Sequence, residues 1–125
     1  MKPAPNRLIL RDAAEVRVQV WGEEDGVFHV LSPSEVKPEG GAPTHFRLTE
    51  VLHSIESGVR IRLYWEGVDE HTLIMPIEGR GNLQLDRLGG LPDPKVEGWT
   101  GNVLMKVYGE GAYTLVLEFT KQRGG

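Results

Sequence analysis

From residue 16 onward the chain alternates apolar and polar positions with a period of two. Val16, Val18 and Val20 are interleaved with Arg17, Gln19 and Trp21, the spacing of a strand with one face turned to a core. The loop 22–26 has glycine at both ends and three acids between them, Glu23, Glu24 and Asp25. It reads as a hairpin tip leading into a strand at Val27–Leu31. The clearest strand is Val59–Trp65, with Val59, Ile61, Leu63 and Trp65 on one face and Arg60, Arg62 and Tyr64 on the other. Further strands follow at Thr72–Ile77, Asn82–Leu88, Asn102–Tyr108 and Tyr113–Thr120, the last two reading as a hairpin across Gly109-Glu110-Gly111. Pro76 has no N–H to donate to a ladder, so its strand lies at an edge or is broken there.

Residues 46–56 carry two periods at once. Leu48, Val51, Leu52 and Ile55 are spaced as on a helix, with Gly58 as a C-cap. Phe46 and Leu48 alternate, as do Val51, His53 and Ile55, and a bulge near Glu50 would join the two halves into one strand. The short step through Ser57-Gly58 into the next strand favours the strand. Residues 32–44 hold three prolines and two adjacent glycines, and residues 89–98 form a second stretch without periodicity. Both read as long surface connections. About eight short strands joined by turns predict an all-β fold, an antiparallel β-sandwich of jelly-roll type, over residues 12–125.

Residues 1–11 stand apart. They include Lys2, Arg7 and Arg11, no acid, and prolines at 3 and 5, which favours an extended chain. A frayed terminus is one reading. An arm lying on a neighbouring subunit is the other, because a free tail gains nothing by exposing Leu8, Ile9 and Leu10.

Composition narrows the class. The 125 residues suffice for one domain. Leu, Ile, Val and Phe make up 35 of them, which excludes a wholly disordered chain. A net charge of −4 argues against a general nucleic-acid surface. The absence of cysteine excludes disulfides, thiolate zinc sites, iron–sulfur clusters and a cysteine nucleophile, and favours a cytosolic origin. The apolar run Leu8–Leu10 is too short for a signal peptide or a membrane span.

Candidate chemistry is sparse. The histidines at 29, 45, 53 and 71 have no paired ligand spacing. His71 follows Asp69 and Glu70, which could hold a cation but composes better as a solvated turn. The acids 23–25 lack the alternation of a calcium loop and fit a charged tip that discourages edge pairing. No serine sits in a nucleophile elbow, and Gly79-Arg80-Gly81 and Gly89-Gly90 are too short for a phosphate loop. A carboxylate pair on a β-sandwich remains open, but nothing in the sequence nominates one. No catalytic residue, metal or cofactor is therefore expected. Of the three tryptophans, Trp65 belongs to the core by phase. Trp21 is out of phase with its valines and is expected at the surface, as a sugar-stacking platform or a protein contact. Trp99 stands at a loop-to-strand junction, as an end plug or a partner contact.

Three stretches carry a resemblance: VRIRLYWEG at 59–67, GNLQLDRLGGLPDPKVEGWTGNVLM at 81–105 and YTLVLEF at 113–119. Together they resemble a group of small virion proteins of tailed bacteriophages, most specifically in Gly89-Gly90-Leu91 and Trp99-Thr100-Gly101-Asn102. The resemblance spans about residues 46–120. It implies a non-enzymatic structural protein that decorates or cements the head by bridging major capsid subunits. Such a protein works on the capsid surface of the virion, is made in the host cytoplasm, forms a homo-oligomer, and binds neither nucleic acid nor membrane. The expected contact residues are Arg7, Leu8, Ile9 and Leu10, Trp21, and the loop residues Gly89, Gly90, Leu91, Pro92 and Trp99. The alternative is a carbohydrate-binding or receptor-binding tail or fibre module that stacks a sugar on Trp21 or Trp99. Least favoured is a small β-fold enzyme with an acid pair.

Overall fold

A computed structural model describes residues 2–12, 14–36, 45–94 and 97–122. Their alternation becomes burial: Val16, Val18 and Val20 are enclosed while Arg17 and Trp21 face out. Eleven strands form among the described residues: β1 (Lys2–Pro3), β2 (Asn6–Arg11), β3 (Glu15–Gly22), β4 (Gly26–Leu31), β5 (His45–Ile55), β6 (Arg60–Gly67), β7 (Thr72–Ile77), β8 (Arg80–Gln84), β9 (Leu91–Pro92), β10 (Trp99–Tyr108) and β11 (Tyr113–Gln122). They make two sheets, one ordered β1-β4-β10-β6-β7 and the other β2-β3-β11-β5-β8, with β9 added to β5. All pairings are antiparallel except β1 with β4. The protein is thus all-β, and the inward faces of the two sheets share one core. Phe119 sits in it with its ring centroid 5.7 Å from that of Phe46 and 6.4 Å from that of Trp65.

Residues 46–55 are strand, not helix. The register steps from Glu118 opposite Glu50 to Phe119 opposite Leu48, so Thr49 is the extra residue of a bulge. That extra residue keeps Phe46, Leu48, Val51 and Ile55 all buried on one side. Pro76 lies in β7, an edge strand.

Several sequence expectations need correction. Loops 23–25 and 109–112 are not hairpin tips: β3 and β4 lie in different sheets, as do β10 and β11. Period two marks which face of a strand is buried, and a strand and its successor present the same pattern whether they pair side by side or face each other across the core. The expected strand 82–88 splits into β8 and a short 3-10 turn at Asp86–Leu88. The aperiodic stretch 89–98 contains β9. Of the connection 32–44, Pro33–Val36 form a 3-10 turn and residues 37–44 lie outside the described residues.

The largest correction concerns the arm at 1–11. Residues 2–11 do not extend away from the sandwich. β1 pairs with β4, with Lys2 opposite Phe28, and the Ala4 N–H donates to the His29 carbonyl at 3.0 Å. The chain then crosses to the other sheet, where β2 runs along β3 from Asn6 opposite Trp21 to Arg11 opposite Val16. Pro3 and Pro5 fit this path, since a two-residue edge strand and a crossing segment need few ladder donors. Ile9, opposite Val18, packs on the core, whereas Leu8 and Leu10 point outward.

Candidate binding surfaces

The expected contact residues fall in three separate places. Arg7 to Leu10 lie on β2, an outer edge of the second sheet. Trp21 is near one end of the sandwich, across from Asn6 on β2 and Thr114 on β11. Gly89 to Pro92 and Trp99 are toward the other end, where Leu91 pairs with Leu48 and Trp99 with Gly67.

Each place has its own geometry. Trp21 is 38% exposed, and its carbonyl accepts a 3.0 Å hydrogen bond from Asn6 Nδ2. It lines a shallow groove with Pro5, Glu23, Glu24 and Thr114. The Gly89–Pro92 segment serves the fold. Gly90 is buried with φ of 78°, and a Cβ there would stand 2.7 Å from Arg47 Cγ and 2.9 Å from the Leu48 carbonyl oxygen. Only glycine lets the chain lie this close to β5 in that conformation. Arg47 Nη1 clamps the segment by donating to the Gly89 carbonyl at 2.5 Å. Trp99 is half-buried, with Gly101 beneath its ring.

Arg7 has a role that the sequence reading missed. It points inward from β2 and donates to Glu35 through Nη1 at 3.1 Å and Nη2 at 2.5 Å, and to the Val30 carbonyl at 2.9 Å. Glu35 also accepts from His29 Nε2 and from the Ser32 amide, each at 2.8 Å. Arg11 reaches the Glu35 carbonyl at 2.9 Å. Burial opposes ionisation of Glu35, yet Arg7, His29 and the Ser32 amide outweigh it and hold the carboxyl at about 2. This cluster ties β2 of one sheet to β4 and the 33–36 turn beside the other. A signal was present: Ser32 and Glu35 have the Ser-x-x-Glu spacing of a capping box.

A carboxylate pair does exist on the outer face of the second sheet. Glu118 lies opposite Glu50 in the ladder, and Arg17 Nη2 donates to Glu118 at 2.7 Å. The hydrogen bond from Arg17 lowers the Glu118 pKa, and the hydrogen bond with Glu118 raises that of Glu50. Glu118 also lines a shallow concavity with Leu10, Asp12, Glu15 and Arg17. His71 accepts from the Gly67 amide at 3.2 Å, closing the β6–β7 turn. Among the described residues no three metal-ligating side chains converge, and no helix is long and apolar enough to cross a membrane.

The two outer sheet faces differ. On the second sheet, the register lines up Leu8, Gln19, Val116, Leu52 and Asn82 in one row, with Asn6, Trp21, Thr114, Ser54 and Arg80 beside it. These two rows carry one charged side chain, Arg80, and expose Leu8 (46%) and Leu52 (38%); the row next to them holds Leu10, Arg17, Glu118, Glu50 and Gln84. On the first sheet, Val27, Lys106, Arg62 and Pro76 share a row, next to His29, Leu104, Tyr64 and Leu73. No known family, curated protein or solved structure matches this chain.

Proposed function

We propose that this protein is a non-enzymatic structural protein of a tailed-bacteriophage virion, decorating the head and bridging major capsid subunits. The observation that carries the reading is the strand order. The four-strand set β3-β11-β5-β8 faces β4-β10-β6-β7, and the chain passes between sheets from β3 to β4, β5 to β6 and β10 to β11. We read that order as an eight-stranded jelly roll, an architecture shared by viral capsid and lectin domains. The resemblance of residues 59–67, 81–105 and 113–119 to phage virion proteins adds to it.

The surfaces suit such work. A bridging protein needs broad complementary area rather than a pocket. Leu8, Leu10, Val116, Leu52 and Trp21 supply apolar area on one open face, and β2 offers an unpaired edge for strand addition. The test is co-sedimentation of the purified protein with pre-formed capsids lacking it. Saturable binding at a fixed ratio to the major capsid protein is the expected result; folded protein that stays in the supernatant overturns the reading.

A second reading draws on Trp21. Its exposed ring, with Asn6, Thr114 and the carboxylates of Glu23 and Glu24 close by, offers the stacking surface and polar groups of a sugar site. In that case the protein is a carbohydrate-binding or receptor-binding module of a tail or fibre. Glycan-array binding abolished by Trp21→Ala would favour it.

A further inference from the structure

The outer face of the first sheet concentrates cations and tyrosines. Arg60, Arg62 and Lys106 stand there with Tyr64 and Tyr108. Arg60 has a solvent-exposed pairing with Glu78 at 3.2 Å, of the kind that contributes little. Arg62 and Lys106 have no acidic partner among the described residues. Instead the Arg62 guanidinium lies 5.9 Å from the centre of the Tyr108 ring, and Lys106 Nζ lies 5.0 Å from that of Tyr64. Val27, Leu73 and Pro76 add exposed apolar area around them. Tyrosine and arginine on an apolar ground is the composition of an interface centre.

The face also carries Glu66, in phase with Arg60, Arg62 and Tyr64 along β6, whose carboxylate accepts from Thr100 and Asn102; the whole chain has a net charge of −4. At one end of the sandwich, Glu23, Glu24, Asp25, Glu56 and Glu110 line a single concavity, whose only cation among the described residues is Lys2. Both halves of a charge-complementary contact are therefore present on one molecule, pointing in different directions. We propose that the basic, tyrosine-bearing sheet face of one copy receives the acidic end of a second copy. Association relieves the repulsion among the carboxylates and gives Arg62 and Lys106 the partners they lack. The contact joins two different patches, so it is heterologous, and repetition closes a ring or extends a filament. The inference stands independently of the capsid reading.

Analytical ultracentrifugation of the full chain tests it. The wild type should self-associate reversibly at about 20 mM salt and weaken at least about tenfold by about 500 mM. The double reversal Arg62→Glu with Lys106→Glu should be monomeric, and so should Glu24→Lys with Glu110→Lys. Each variant retains one working half, so an equimolar mixture should associate although neither variant does so alone. Circular dichroism confirms that both variants fold. A wild type that is monomeric at low salt, association that survives either reversal, or a mixture of folded variants that stays monomeric would each overturn the proposal.

Discussion

Replacing Glu35 by glutamine isolates the charge that fastens β2 to the opposite sheet. The folded protein holds this carboxyl at about 2, against an ordinary 4.5. That drop sets a ceiling of about 3 kcal/mol. The side chain is 25% exposed, so solvent screening reduces the figure to about 2 kcal/mol. The folded pKa lies below the unfolded one. The contribution is therefore complete above about pH 4.5 and is lost as pH falls toward about 2. Glutamine preserves the shape and cannot ionise. Urea unfolding of both proteins at a series of pH values separates this group from the other carboxylates, because only the gap between the two curves is read. The gap should be about 2 kcal/mol at pH 7 and close toward zero by about pH 2. A gap that does not change with pH, or that is missing at pH 7, refutes the assignment of the lowered pKa to this clamp.

Three further outcomes are expected. Phe119→Ala empties the space between Phe46 and Trp65 and should cost about 3–5 kcal/mol, read as a fall in Tm. Gly90→Ala should cost about 1–3 kcal/mol, read as a fall in the urea midpoint, because a Cβ at φ 78° meets Arg47 and the Leu48 carbonyl. Leu8→Lys combined with Leu10→Lys changes side chains 46% and 56% exposed, so stability should move by only about 0.5 kcal/mol per site. Capsid co-sedimentation should drop sharply in the same double variant; retained binding would exclude this edge of β2 as the contact.

The capsid-contact expectation and the folded surface meet only in part. Leu8, Leu10 and Trp21 are exposed. Arg7 and Ile9 turn inward instead, because they lie opposite Val20 and Val18 on the core side of β3. Gly89 to Leu91 follow β5 for reasons of backbone packing. The Glu50–Glu118 pair and the cluster of Arg7, His29 and Glu35 escaped the sequence reading, since their members are separated by 68, 6 and 28 residues. Only the Ser32-to-Glu35 spacing hinted at either.

What the sequence indicated by itself was local: most of the strands from β3 on with their buried faces, a bulge that would make 46–56 one strand, an edge or a break at Pro76, and the exposure of Trp21. Each follows from side-chain alternation and backbone chemistry within a few residues. Only the tertiary structure decided which strands became neighbours. It sent β4 and β11 to the sheets opposite β3 and β10, and drew residues 2–11 into both sheets. The physical reason is that an alternating strand satisfies its apolar face equally well beside its predecessor or across the core from it. The choice between the two rests on pairing and packing between residues far apart in the chain.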